Sequence, residues 1–191
     1  MISQTNIKLT KQVNTKMLIR TAIMVSLLFV TTQILIPIPT TPIPINLALI
    51  TVLLSGCILG PLWGTTSIVV YILLGLIGLP IYSNFGSGIG HLLGATGGFL
   101  FAYIPAALIA SLGSNQIRNN KNITPIDIIL LVLILILSLI VTYAIGTIFF
   151  VYITNTSIST ALSLTVFPFL LGDLFKLALT SLLAFRLKSI L

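Results

Sequence analysis

Asp173 and Lys176 stand three positions apart in the apolar stretch FPFLLGDLFKLALTSLLAFR near the C-terminus. That spacing puts both side chains on one face of a helix. Arg186 marks the polar end of the same stretch. At 1.5 Å per residue, Asp173 lies about 20 Å from Arg186 along the axis and Lys176 about 15 Å. Both therefore fall inside an apolar layer, where an ionised side chain costs about 3 kcal/mol on insertion scales unless it is paired or faces a polar cavity. Two readings follow. One is a structural ion pair that locks this helix to its neighbours. The other is a polar ligand site, which is the more usual role of intramembrane charges. They are compatible, because a pair closed when empty can open to a substrate.

A second set of candidates lies in YSNFGSGIGHLLGATGG, Tyr82 to Gly98. Glycines let a ligand approach the backbone closely and expose N–H and C=O groups. Irregular backbone at membrane depth is tolerated where it lines a cavity. Tyr82, Asn84 and Phe85 add aromatic and amide groups, and Gly86 and Gly88 supply the close approach. The implied ligand is small and largely apolar, with hydrogen-bonding and anionic parts. The loop lacks the GxxxxGK[ST] pattern and any preceding strand, so it is not a phosphate cradle. His91 is the single histidine, and a helix-cap or interface role suits it better than a proton relay. Cys57, the single cysteine, sits in LLSGCILG and reads as a buried, inert thiol. No His/Cys spacing suits a metal, and no Ser/His/Asp constellation can be argued. No catalytic residue, metal or cofactor is expected.

The elements that must position these residues follow from composition. The chain has 191 residues, of which 57% are apolar and 6% charged. A soluble domain carries about 25% charged residues, and too few are present here to cover a water-facing surface. Mean hydropathy is +1.22. The chain is expected to be an all-α membrane protein, a single integral domain built as a bundle of six transmembrane helices. Each span needs about 20 apolar residues, and the spans are read at about 17–36, 47–59, 63–79, 91–112, 125–152 and 161–187. Between the first two, IPIPTTPIPIN carries four prolines and must be an extended connector. Gly60-Pro61 marks a turn between the second and third. Asp127 falls where a carboxylate favours a helix start.

Nine of the eleven charges are Lys or Arg, too sparse for a nucleic-acid surface. Lys8, Lys11, Lys16 and Arg20 precede the first span, Arg118 and Lys121 separate the fourth and fifth, and Arg186 and Lys188 end the chain. With six spans all three groups share one side, so the positive-inside rule places both termini in the cytoplasm. Lys176 is the exception. The proline-rich connector, the Tyr82–Gly90 loop and TNTSIST then face outward. Of the two sequons, at Asn122 and Asn155, only the second faces outward. Small residues recur every four positions at Gly56, Gly60 and Gly64, at Gly94 and Gly98, and at Ala22 and Ser26. This spacing brings helix backbones together. For Ala22 and Ser26, docking of a partner helix is an alternative to internal packing.

Three stretches together resemble the BioY family, the biotin-binding S components of energy-coupling-factor transporters. They are Pro42–Gly64, Tyr71–Tyr103 with its GLP…GATGGF pattern, and LLGDLFKLAL, Leu170–Leu179. The resemblance implies biotin uptake by a multi-pass protein of the bacterial cytoplasmic membrane. It implies that Asp173 and Lys176 contact the substrate. It also implies partners, a transmembrane coupling subunit and two ATPase subunits, because the chain has no nucleotide motif of its own. The Ala22/Ser26 face resembles the surface that docks the coupling subunit. The chain departs from the family pattern at Ala48, where Gln is frequent, at Ala95, where Pro is usual, and at Asn84 and Phe85, where glycine is frequent. The alternatives are an S component for another small vitamin, and a non-transport membrane protein with a structural Asp–Lys pair.

Overall fold

A computed structural model describes residues 15–37, 41, 43–113 and 124–187. Lys8, Lys11, Arg118, Lys121 and Lys188, which carry much of the topological reading, lie outside the described residues, as does the Asn122 sequon.

Helix α1 spans Thr15–Gln33 and buries Thr21, Met24, Leu28 and Thr32, one stripe at helical spacing. Ala22 and Ser26 face outward. The expected first span extended to residue 36, but Leu35–Ile36 is strand β1, paired antiparallel with β2 at Ile45–Asn46. The prolines between them preclude a helix, and the connector returns on itself as a short ribbon.

Helix α2 spans Ala48–Leu76 with a break at Gly60, whose φ is 78° and ψ −175°. That conformation is open to glycine, and Pro61 then starts the next helical turn, where its missing N–H matters least. The two arms fold beside each other. Ser55 Oγ lies 2.7 Å from Ser67 Oγ and 2.9 Å from the Gly64 carbonyl, whereas twelve residues of straight helix would separate the serines by about 18 Å. A Cβ on Gly64 would sit 2.6 Å from the Ser55 carbonyl, so glycine is what lets the arms close. The turn read from Gly60-Pro61 is thus present, and the second arm ends three residues earlier than expected.

The expected helix over 91–112 is corrected. Short α3 (Gly88–Leu92) and α4 (Gly97–Ala110) are separate. Gly94-Ala95-Thr96 turns the chain between them, with the Gly97 N–H donating to the Gly94 carbonyl at 2.9 Å. Helix α5 runs Pro125–Thr154. Asp127 starts it as expected, within a capping box: the Thr124 N–H donates to Asp127 Oδ2 at 2.9 Å and the Asp127 N–H to Thr124 Oγ1 at 3.4 Å.

The continuous helix expected over 161–187 is also corrected. Helix α6 (Ile158–Thr165) and α7 (Leu170–Leu187) are inclined by 52°. Pro168 supplies the reason, since it has no N–H to donate and its ring clashes with the preceding turn.

Close packing comes from small residues. Gly98 faces Phe149 and Gly146 faces Phe99, a reciprocal fit of α4 on α5, while Gly56 rests on the Ala107 carbonyl of α4. Cys57 is buried and its thiol donates to the Ala110 carbonyl at 3.3 Å. Outward positions of α5 carry Leu133, Leu137, Ile140 and Ile148, a surface suited to lipid. Among the described residues, α1, α2 and α5 are long and apolar enough to cross a membrane, and α6 with α7 forms a fourth, bent candidate. The fold is a helical bundle of the membrane class.

Candidate functional site

Asp173 sits in the first turn of α7, directly after the break at Pro168. A carboxylate is favoured there by the free N–H groups and dipole of the helix start. Lys176 Nζ reaches back one turn and donates to Asp173 Oδ1 at 2.7 Å. Both residues are 5% exposed. From α5, the Tyr143 hydroxyl donates to Asp173 Oδ2 at 2.5 Å. The carboxylate is therefore held from two helices, and a carboxylate can accept about four hydrogen bonds in all.

This cluster forms one wall of a cavity. Thr32 of α1, with Ile43, Pro44 and Asn46 of the connector, lies along another side. Phe99, Leu100 and Tyr103 of α4 and Leu139 of α5 supply apolar and aromatic surface, Thr142 of α5 lies beside them, and Thr165 and Phe169 close the bend. Such a lining, mostly apolar with a few converging polar groups, is the usual build of a small-molecule site. The cavity sits where α6 gives way to α7, and broken helices recur at transporter binding sites.

The glycine-rich segment approaches the cavity through Ser83 and His91, both of which line it. Tyr82, Asn84, Phe85, Gly86 and Gly88 are not among the lining residues. Tyr82 is fully buried and its hydroxyl donates to the Ile72 carbonyl. Its ring meets Tyr71 edge-on and stacks on His91 at 5.2 Å. Asn84 and Phe85 have φ of 57° and 55°, a backbone form that glycine adopts freely and Phe does not. Gly86 leaves space for the His91 ring, and Gly88 has φ 77°. Burial raises the pKa of the Tyr82 phenol and lowers that of the His91 imidazolium.

Gln33, at the end of α1, holds this loop in place. Its Nε2 donates to the Ile81 and Tyr82 carbonyls at 3.1 and 2.8 Å, and its Oε1 accepts from the Phe85 N–H at 3.0 Å. Sequence reasoning missed both Gln33 and Tyr143. The available signals were an amide closing the first apolar run and a phenol midway along the most apolar helix.

Residues 5–191 match the BioY family. A probable biotin transporter BioY from Pyrococcus horikoshii is 33% identical over 147 residues, covering 77% of this chain and 82% of that protein. The biotin transporter BioY from Thermotoga maritima is 33% identical over 183 residues, covering 92% and 97%. A crystal structure of the S-component for biotin from an ECF-type ABC transporter superposes with a TM-score of 0.81 at 28% identity, covering 92% of each chain. With nearly its whole length matched, the chain belongs to the BioY family.

Proposed function

We propose that this protein captures biotin from outside the cell, as the substrate-binding subunit of an energy-coupling-factor importer. The observation that carries the reading is the buried Asp173–Lys176 pair on the wall of a largely apolar cavity. Asp173 accepts from ureido N–H groups. Lys176 donates to a carbonyl or offsets the acid tail. The rings and aliphatic chain lie against Phe99, Leu100, Tyr103 and Phe169. The Tyr82–Gly88 segment, with Asn84, Phe85, Gly86 and Gly88, closes the site from the outer side and contributes contacts once substrate is in place.

Six segments cross the membrane in this proposal: α1, the two arms of α2, α4, α5 and the bent α6–α7 unit. They form one integral domain in the bacterial cytoplasmic membrane, with both termini inside. The folded-back arms of α2 support the count. Uptake requires a transmembrane coupling subunit and two ATPase subunits, the first docked on the outward Ala22/Ser26 face of α1.

The test is biotin binding to purified wild type, Asp173→Asn and Lys176→Ala. Wild type binds tightly, and each variant loses at least about tenfold, or 1.4 kcal/mol. A folded wild type without detectable biotin binding would sink the proposal.

A further inference from the structure

We propose that Tyr143 is a positioning residue for substrate recognition, through the hydroxyl it presents to Asp173. The inference rests on the biotin-binding reading above. Asp173 Oδ1 is held by Lys176, which lies on the same helix. That contact alone leaves the pair free to swing together about the α7 backbone. Tyr143 comes from α5 and donates to the other oxygen, Oδ2, so it sets the carboxylate plane relative to the opposite wall. Thr142 and Leu139 of α5 line the same cavity beside it.

The arrangement matters most when a ligand arrives. A substrate that attracts Lys176 weakens the intrahelical contact. The Tyr143 bond then keeps Asp173 aimed into the cavity, with acceptor capacity left for a ligand N–H. Without the phenol, the ligand itself must order the carboxylate, and part of its binding energy goes into that ordering. Phenylalanine at 143 keeps the ring and removes the donor alone.

The experiment combines calorimetry with infrared spectroscopy. Biotin affinity is measured for wild type, Tyr143→Phe, Asp173→Asn and the double variant. Tyr143→Phe is expected to weaken binding about tenfold, yet to change it less than twofold when Asp173 is already Asn. An equal loss in both backgrounds, or no loss in the single variant, overturns the proposal. Infrared spectra are taken on ligand-free protein labelled with 13C at the aspartate carboxylates. The chain has only two acidic side chains, Asp127 and Asp173, so the Asp173 band is identified by its absence from Asp173→Asn. That band shifts in Tyr143→Phe if the contact is as described, and an unmoved band overturns the proposal. If Tyr143→Phe does not fold, 3-fluorotyrosine at position 143 keeps ring and hydroxyl but strengthens the donor, and the band must still move. Wild type that fails to bind biotin would sink the transport reading, and the infrared result would then decide the role of Tyr143 alone.

Discussion

The α2 hairpin and the cavity wall both bury polar side chains in an apolar chain, and they differ in what they leave unsatisfied. In the hairpin, the Ser55 and Ser67 hydroxyls and the Gly64 carbonyl lie within hydrogen-bond distance of one another, and the two hydroxyl protons are shared among the three contacts. All three groups are neutral and their partners lie within the same helical pair. On the cavity wall, Asp173 is charged, is held by a cation and a phenol from two helices, and borders open space. A closed neutral contact fixes the distance between two backbones. A charged contact with acceptor capacity to spare can exchange a protein partner for a ligand. Buried polar groups therefore need to be sorted by what surrounds them, since depth in the bundle is common to both regions.

The largest expected effect breaks the hairpin. Gly64→Val places a branched side chain against the Ser55 carbonyl and Gly56 Cα, and overpacking of this kind costs about 3 kcal/mol. Thermal unfolding in detergent should record that loss, while the protein that remains folded keeps its biotin affinity within about threefold. Equal damage to both would show that the two regions are not separable.

The next effect concerns the pair. Exchanging the charges, Asp173→Lys with Lys176→Asp, preserves an i, i+3 ion pair but puts a cation at the helix start and removes the acceptor facing Tyr143. A purely structural pair would lose folding stability in this exchange, yet leave the biotin affinity of the folded protein unchanged. The ligand reading expects at least a tenfold loss of biotin affinity, about 1.4 kcal/mol, measured by calorimetry.

Ser55→Ala should cost about 1 kcal/mol of stability, the net worth of one ordinary hydrogen bond, and change biotin affinity less than twofold. A larger effect on binding would connect the hairpin to the site.

The smallest expected effect is on pH dependence. Burial holds the His91 imidazolium below its ordinary range. The folded state therefore resists protonation that the unfolded chain accepts near pH 6.5. Stability should be unaffected by His91 above that value and decline as pH falls below it. A His91→Gln variant should show a shallower decline between pH 7 and 5.

Much was legible in the residues themselves. Composition alone dictates a membrane-embedded helical protein, because 6% charged residues cannot cover a water-facing surface. The three-residue spacing of Asp173 and Lys176 predicts their shared face, and the structure pairs them at 2.7 Å. The Gly60-Pro61 turn and the Asp127 helix start were readable for the same reason: each depends on local backbone chemistry within a few residues. What lay beyond the sequence was the partner across the bundle. Tyr143 lies 30 positions from Asp173 and Gln33 lies 52 from Phe85, and no periodicity encodes which helix faces which. The sequence also carried Pro168 without announcing that the helix would bend there, since prolines kink some membrane helices and merely interrupt one bond in others. Only the tertiary structure decided that α7 begins just before Asp173. That start turns a charge buried in mid-helix into one at a helix N-terminus on a cavity wall, where the free N–H groups favour it.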